Sequence, residues 1–267
     1  MPVLQQRVDR PPRSPRRFIP QLVRDEAGLL IGLLVVTLLI LGFVMLADEV
    51  LEGDLTSFDD MVIMALRTGG NLADPIGPPW LEEMGRDVTA LGSFALLGIL
   101  LAAVVGYLAL IRKRGAALLM AVAVLGGAVI STVLKMVFDR PRPDIPHAAH
   151  VFTASFPSGH ATLSAITFLT IGILLTRMTA DRRVKAYFLV LAVVLTIMVG
   201  LSRIYLGLHY PSDVLAGWSI GSAWAILCWA VALRMQRQGA VEPPGTDQGT
   251  ATGRMNDSSG TIRSVRK

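Results

Sequence analysis

The strongest constraint on this chain is the run from Ala27 to Ala47, in which no residue carries a charge and nearly all are apolar. Crossing the hydrocarbon core as a helix takes roughly 20 such residues, and a helix that is hydrophobic all round needs lipid or a large interior to cover it. Five further runs follow, about Ala90 to Ile111, Ala116 to Phe138, Ala161 to Thr176, Ala186 to Leu201 and Val214 to Leu233. The fourth and fifth of the six are short and borrow a flanking turn. The expected fold is therefore all-α, a polytopic membrane protein with six transmembrane helices. The first run is not read as a cleaved signal peptide: its apolar stretch exceeds the roughly 7 to 15 residues usual there, and Met45-Leu46-Ala47 lacks a small-x-small cleavage pattern.

Basic residues orient the spans, because Lys and Arg collect in cytoplasmic segments. Residues 1–26, 112–114, 177–185 and the stretch after 233 hold 19 of the 25, all on one side of the predicted membrane. The opposite side receives the loop 48–89, with ten acids and only Arg67 and Arg86 as basic residues. This predicts a multi-pass cell-membrane protein with both termini cytoplasmic: a basic tail (1–26), a six-span domain (27–233) with an external loop (48–89), and a Gly-, Ser-, Thr- and Pro-rich tail (234–267). Within the loop, Phe58, Met61, Val62 and Ala65 recur at helical spacing behind a capping-box-like Ser57 and Asp60. A second amphipathic piece near Trp80 to Met84 follows Pro78-Pro79, so the external loop is expected to be helical and amphipathic.

Composition removes other classes. At 52% hydrophobic and 17% charged the chain is not a disordered protein. The net charge of +5 comes without a basic block interleaved with aromatics, so no nucleic-acid partner is expected. The single cysteine, Cys228, leaves no internal disulfide and no thiolate zinc cluster.

Six basic residues stand outside the cytoplasmic set, and four of them gather at the external ends of spans: Lys135, Arg140, Arg142 and Arg203. Cations at membrane depth call for an anionic partner or a cavity. Ser158, Gly159 and His160 open the fourth span, and His209 and Asp213 lie at the start of the sixth, all on that same face. Together they make a cationic pocket with two imidazoles and a carboxylate, which is equipment for displacing a phosphoryl group. Lys135, Arg142 and Arg203 supply fixed positive charge, and arginine's planar fork suits bidentate contact with phosphate. Phe156-Pro157-Ser158-Gly159-His160 reads as a turn into a helix, with Ser158 near the N-cap, Gly159 allowing close approach and free amides seating an anion. A histidine that attacks phosphorus must be neutral and held through its other nitrogen. Asp213, placed in the first turn after Pro211, reaches back toward His209 for that purpose. His160 is left to protonate the leaving alkoxide.

Lys135-Met-Val-Phe-Asp-Arg-Pro-Arg142-Pro143, Pro157-Ser158-Gly159-His160 and Ser202-Arg203-Ile-Tyr-Leu-Gly-Leu-His209-Tyr-Pro-Ser-Asp213 match, in order, the motifs K-x6-R-P, P-S-G-H and S-R-x5-H-x3-D. The sequence thereby resembles the type 2 phosphatidic acid phosphatase superfamily, whose membrane branch dephosphorylates lipid phosphates and whose soluble relatives include vanadium haloperoxidases. The resemblance implies phosphate binding by Lys135, Arg142, Ser158, Gly159 and Arg203, His160 as acid, His209 as nucleophile and Asp213 as its partner, with no metal and no other cofactor. It implies a membrane lipid phosphate as substrate: a polyprenyl diphosphate, phosphatidylglycerophosphate or phosphatidic acid. No obligatory protein partner is evident.

Competing readings are a non-hydrolytic transporter or anion-binding scaffold using the same cations, and a lipid phosphotransferase. A binder has no need of a nucleophile, an orienter and an acid. Arg140 occupies a variable position of the first motif and is read as a salt-bridge or anchor residue. His147 and His150, with Asp139 and Asp144, suggest a metal site, which the neighbouring cations disfavour. Gly217-x-x-x-Gly221 is read as close helix packing within the monomer.

Overall fold

The computed structural model describes residues 18–69, 71–145 and 153–237. His147 and His150, and with them the metal-site reading, lie outside the described residues, as do most of the two tails. Eight helices and a two-stranded hairpin make up the described chain: α1 (Phe18–Glu52), α2 (Thr56–Ala65), β1 (Arg67–Thr68), β2 (Asn71–Pro75), α3 (Pro79–Ala90), α4 (Phe94–Leu110), α5 (Arg114–Phe138), α6 (Gly159–Thr176), α7 (Arg182–Tyr205) and α8 (Pro211–Arg237). Helices α1, α5, α6, α7 and α8 are each long and apolar enough to cross a membrane.

The second expected span, about Ala90 to Ile111, differs from the sequence expectation. Ala90 closes α3 rather than opening the span, and α3 and α4 form a bent pair, 46° apart across a break of three residues. Ser93 causes the restart, its hydroxyl accepting the Leu96 amide at 3.2 Å as the N-cap of α4. Gly92 allows the break to sit tightly, because a Cβ there would lie 2.5 Å from Val199 Cγ1 and 3.3 Å from His160 Cβ. Several helices also outrun the apolar runs that announce them. Helix α1 continues through Asp48 and Glu49 to Glu52, and α7 starts at Arg182, where Asp181 accepts the Arg183 amide at 2.8 Å. Polar residues at these ends still hydrogen-bond as helix while sitting beyond the apolar layer.

In the segment 48–89, both helical expectations hold, with corrections. Helix α3 begins with Pro79 in its first turn, below a mostly exposed Trp80. Helix α2 starts at Thr56, behind Leu55, and has no side-chain cap, so Ser57 and Asp60 do not form a capping box. Its apolar stripe faces outward, with Phe58 and Met61 exposed, while Asp59 and Ile63 are buried. Between the two helices the chain pairs as the short β1–β2 hairpin, where a plain loop was expected.

Helix α6 is the centre of the bundle. It packs on α5, α7 and α8, with α1 laid against α8 and α4 against α5. Small residues permit the closest contact: a Cβ on Gly217 would lie 2.8 Å from the Ser158 carbonyl oxygen, and one on Gly221 2.6 Å from that of Thr162. The Gly-x-x-x-Gly pattern therefore serves α6–α8 packing inside the chain, as its reading anticipated. Leu119, Met120, Ala123, Leu163, Ile166 and Cys228 fill the core between α5, α6 and α8. Leucines and valines on the outer faces of α1, α5 and α7 stay exposed, as suits a lipid-facing surface. At the end of the bundle where α5 stops and α6 starts, Phe138 and Phe156 meet edge-to-face at 4.9 Å, and Phe43 joins them at 5.8 Å from Phe156. Such pairs contribute about 0.5 to 1.5 kcal/mol each beyond burial. They pin the end of α5 to the segment that enters α6.

Candidate active site

Four helix ends, those of α5 and α7 and the starts of α6 and α8, and two connecting segments converge above this aromatic floor. Helix α5 stops at Asp139, in left-handed conformation at φ 39°, and the chain turns across the bundle. Arg140 and Arg142 lie on that turn, and the Arg140 carbonyl accepts the Ser155 amide at 2.8 Å, zipping it to the segment before α6. Ser158 is the N-cap of α6, as expected from sequence, with its hydroxyl accepting from Ala161 at 3.5 Å. Its own amide donates to the Asp213 carbonyl at 2.9 Å, joining the starts of α6 and α8. The Gly159 and His160 amides precede the first intrahelical bond, so they point out of the helix start.

His209 and Asp213 are both fully buried. Pro211 opens α8 and Asp213 stands in its first turn, with Oδ2 turned back to accept the Tyr210 amide at 2.9 Å. The same carboxylate accepts a hydrogen bond from the Ser155 hydroxyl and the Arg140 guanidinium, the latter at 2.7 Å. His209 Nδ1 faces Ser155 Oγ at 3.3 Å and Asp213 Oδ2 at 3.5 Å. The second distance is long for a hydrogen bond, so Ser155 shares the work of orienting the ring. The other nitrogen, Nε2, lies 3.1 Å from Arg142 Nη1. A guanidinium can only donate, which assigns the lone pair to Nε2 and the proton to Nδ1. Burial lowers the His209 pKa to about 3, the Asp213 contact opposing and Arg203 and Arg142 reinforcing the shift, so the ring is neutral near pH 7.

Arg142 stands at Nε2, Arg203 is within electrostatic reach of the His209 ring, and Lys135 is within reach of both arginines. Arg142 is held by the Thr153 carbonyl (Nε, 2.9 Å), the Leu208 carbonyl (Nη1, 2.7 Å) and the Thr153 hydroxyl (Nη2, 3.1 Å). Burial pulls its pKa down against Asp213, but an arginine so held stays charged. Lys135 Nζ donates to the Ala154 carbonyl at 2.6 Å, and a Cβ on Gly159 would lie 3.5 Å from Lys135 Cε. Arg203 is buried, donates to Thr89 Oγ1 at 3.2 Å and, among the described residues, leaves Nε without a partner. Half-buried His160 is within electrostatic reach of Arg203, Arg142 and Lys135. All eight residues singled out from the sequence thus meet at one end of the bundle. Closely placed cations repel one another, an arrangement that an anion relieves.

Arg140 does form the salt bridge read from the sequence, and more: it links Asp213 at 2.7 Å to Asp59 of α2 at 2.8 Å. Although its own burial opposes charge, the two carboxylates raise its pKa. Arg67 is a further buried cation. It caps α7 by donating to the Tyr205 carbonyl at 2.9 Å, and Gly207, at φ 68°, leaves room for it, since a Cβ there would meet Nη2 at 2.3 Å.

Asp59, Thr89, Thr153, Ser155 and Ser212 are polar side chains around the site that were not singled out in the sequence. Ser155 and Thr153 had one available signal, their place just before the Pro-Ser-Gly-His turn. Asp59 and Thr89 had none that is local.

The chain resembles known proteins along much of its length. The family model described as "PAP2 superfamily" matches residues 116–237. Phosphatidylglycerophosphatase B of Bacillus subtilis is 32% identical over 184 residues, covering 68% of this chain and 87% of that protein. Decaprenylphosphoryl-5-phosphoribose phosphatase of Mycobacterium tuberculosis is 35% identical over 148 residues, covering 54% of this chain and 76% of that one. Among solved structures, a transmembrane PAP2-type phosphatidylglycerolphosphate phosphatase from Bacillus subtilis superposes with a TM-score of 0.69 at 29% identity, covering 76% of this chain and 98% of that one.

Proposed function

We propose, from the premise that this chain belongs to the PAP2 superfamily and is a multi-pass membrane phosphoric ester hydrolase, that it removes the terminal phosphate of a lipid through a phosphohistidine on His209. The observation that carries the reading is the environment of the His209 ring, with Nδ1 facing Ser155 and Asp213 and Nε2 turned to Arg142. In the first step the Nε2 lone pair attacks phosphorus, the P–O bond to the lipid breaks, and His160 protonates the departing oxygen. Arg142, Lys135 and Arg203, with the amide groups at the start of α6, stabilise the negative charge on the equatorial oxygens. Ser158 contributes through its hydroxyl proton. In the second step water gives a proton to His160 and attacks phosphorus, the P–N bond breaks, and phosphate leaves.

The site is assigned to the extracytoplasmic face, with both termini cytoplasmic, because the basic segments cluster at the opposite ends of the spans. The cations address a terminal phosphate rather than a tail. The Bacillus relative named above is by name a phosphatidylglycerophosphatase, and the Mycobacterium relative acts on decaprenylphosphoryl-5-phosphoribose. Phosphatidylglycerophosphate, phosphatidic acid and a polyprenyl diphosphate therefore form the substrate panel. Purified protein in detergent should release phosphate from at least one of them, and His209→Ala should abolish that release while still inserting in the membrane. Retained turnover in the variant would reject the reading.

A further inference from the structure

One fully buried carboxylate has no part in the chemistry above. Asp59, on the external helix α2, accepts the Ser212 amide on Oδ1 at 3.0 Å, and on Oδ2 the Ser212 hydroxyl and Arg140 Nη2, the latter at 2.8 Å. Arg140 in turn gives Nη1 to Asp213 Oδ1 at 2.7 Å and to Ser212 Oγ at 2.8 Å, and lies over the Tyr210 ring at 4.5 Å. A single guanidinium is thus divided between two buried carboxylates, one of which faces the His209 ring.

That division matters when the ring changes charge. As Nε2 bonds to phosphorus the imidazole becomes cationic, and the negative charge on Asp213 stabilises it. An arginine paired with Asp213 alone would neutralise that carboxylate at close range, where the local dielectric is low and interactions are strong. Asp59 draws part of the guanidinium away and holds it in place. Its contact with the Ser212 amide also fixes the first turn of α8, from which Asp213 projects.

We infer that Asp59 is a positioning residue for the His209–Asp213 pair: by sharing Arg140 it keeps Asp213 negative enough to support a cationic His209 ring. The inference rests on the phosphohistidine reading above, and it makes α2 part of the working site.

The test uses the full chain in detergent micelles with dioctanoyl phosphatidic acid as the probe. Asp59→Asn should lower kcat by about 10-fold or more while KM moves less than about 2-fold, the pattern of a lost transition-state interaction. Adding Arg140→Gln to it removes the excess positive charge, so the double variant should turn over faster than Asp59→Asn alone. A purely structural clamp predicts the reverse, since the double variant breaks more bonds. The inference is overturned if Asp59→Asn keeps kcat within about 2-fold of wild type, or if the double variant is no faster than the single. Should Asp59→Asn fail to fold, Ser212→Ala removes one of the three hydrogen bonds that Asp59 accepts and should still lower kcat by about 3-fold at constant KM; unchanged kcat would overturn the inference equally. His209→Ala separates the two levels. If it retains turnover, the phosphohistidine reading fails; if it is inactive while Asp59→Asn is unimpaired, only the role of Asp59 fails.

Discussion

Replacing Arg142 by lysine tests whether the cup works by geometry or by charge alone. Arg142 uses all three of its nitrogens at once, Nε on the Thr153 carbonyl, Nη1 on the Leu208 carbonyl and beside His209 Nε2, and Nη2 on the Thr153 hydroxyl. These bonds fix the plane of the guanidinium so that one edge faces His209 Nε2, the nitrogen proposed to attack. Lysine preserves the charge but has one nitrogen on a flexible stem, so it can satisfy one carbonyl or meet the phosphate, not both. A hydrogen bond from a charged group contributes about 1.5 to 3 kcal/mol. Losing one such contact in the transition state corresponds to a fall of about 10- to 150-fold in kcat/KM. Initial rates of phosphate release from mixed micelles measure this directly, with thermal unfolding in the same detergent as the control for folding. If Arg142→Lys stays within about 3-fold of wild type in kcat/KM, Arg142 acts only as a point charge and the geometric argument fails.

Further expectations follow from the same geometry. His160→Ala should slow lipid phosphates, whose alkoxide is a poor leaving group, by about 100-fold or more, and aryl phosphates far less; equal losses in parallel assays would remove the acid role. Vanadate, which takes the shape of pentacoordinate phosphorus, should inhibit competitively with the lipid, and EDTA should leave the rate unchanged; the opposite pattern would restore a metal to the reaction. Because burial lowers the His209 pKa to about 3, its ring should stay neutral as pH falls from 7 to 5, whereas an unperturbed histidine, with a pKa near 6.5, gains its proton in that interval. Ring nitrogen NMR shifts of labelled protein decide between the two, and protonation near pH 6.5 would contradict the buried, donor-lined environment.

The spans and the residues of the candidate site were legible for one reason: in a chain this apolar, each charged residue near a span stands out. Lys135 and Arg203 carry that signal, and the motif spacing then joins them to His160, His209 and Asp213. The bend at 91–93 was hidden because Leu91 and Gly92 suit an apolar run, and the break is set by how Gly92 packs on Val199 and His160. Asp59 was one acid among ten in its loop. Its burial follows from Arg140 and Ser212, 81 and 153 residues away in sequence, a separation that no local periodicity encodes. The apolar stripe on α2 pointed to a helix correctly, but Phe58 and Met61 face outward and the buried side carries the acid. For a membrane protein, the face that packs on other helices can be the more polar one.

The claim beneath all of this is that His209 itself becomes phosphorylated. Rapid acid-free quenching of the enzyme with excess lipid phosphate, followed by peptide mass spectrometry under alkaline conditions that preserve phosphohistidine, reads it directly. The predicted result is a phosphoryl group on the peptide containing His209, bonded at Nε2, which forms and decays at rates that account for turnover. Phosphate release without any labelled His209, at a time resolution shorter than one turnover, would contradict the account.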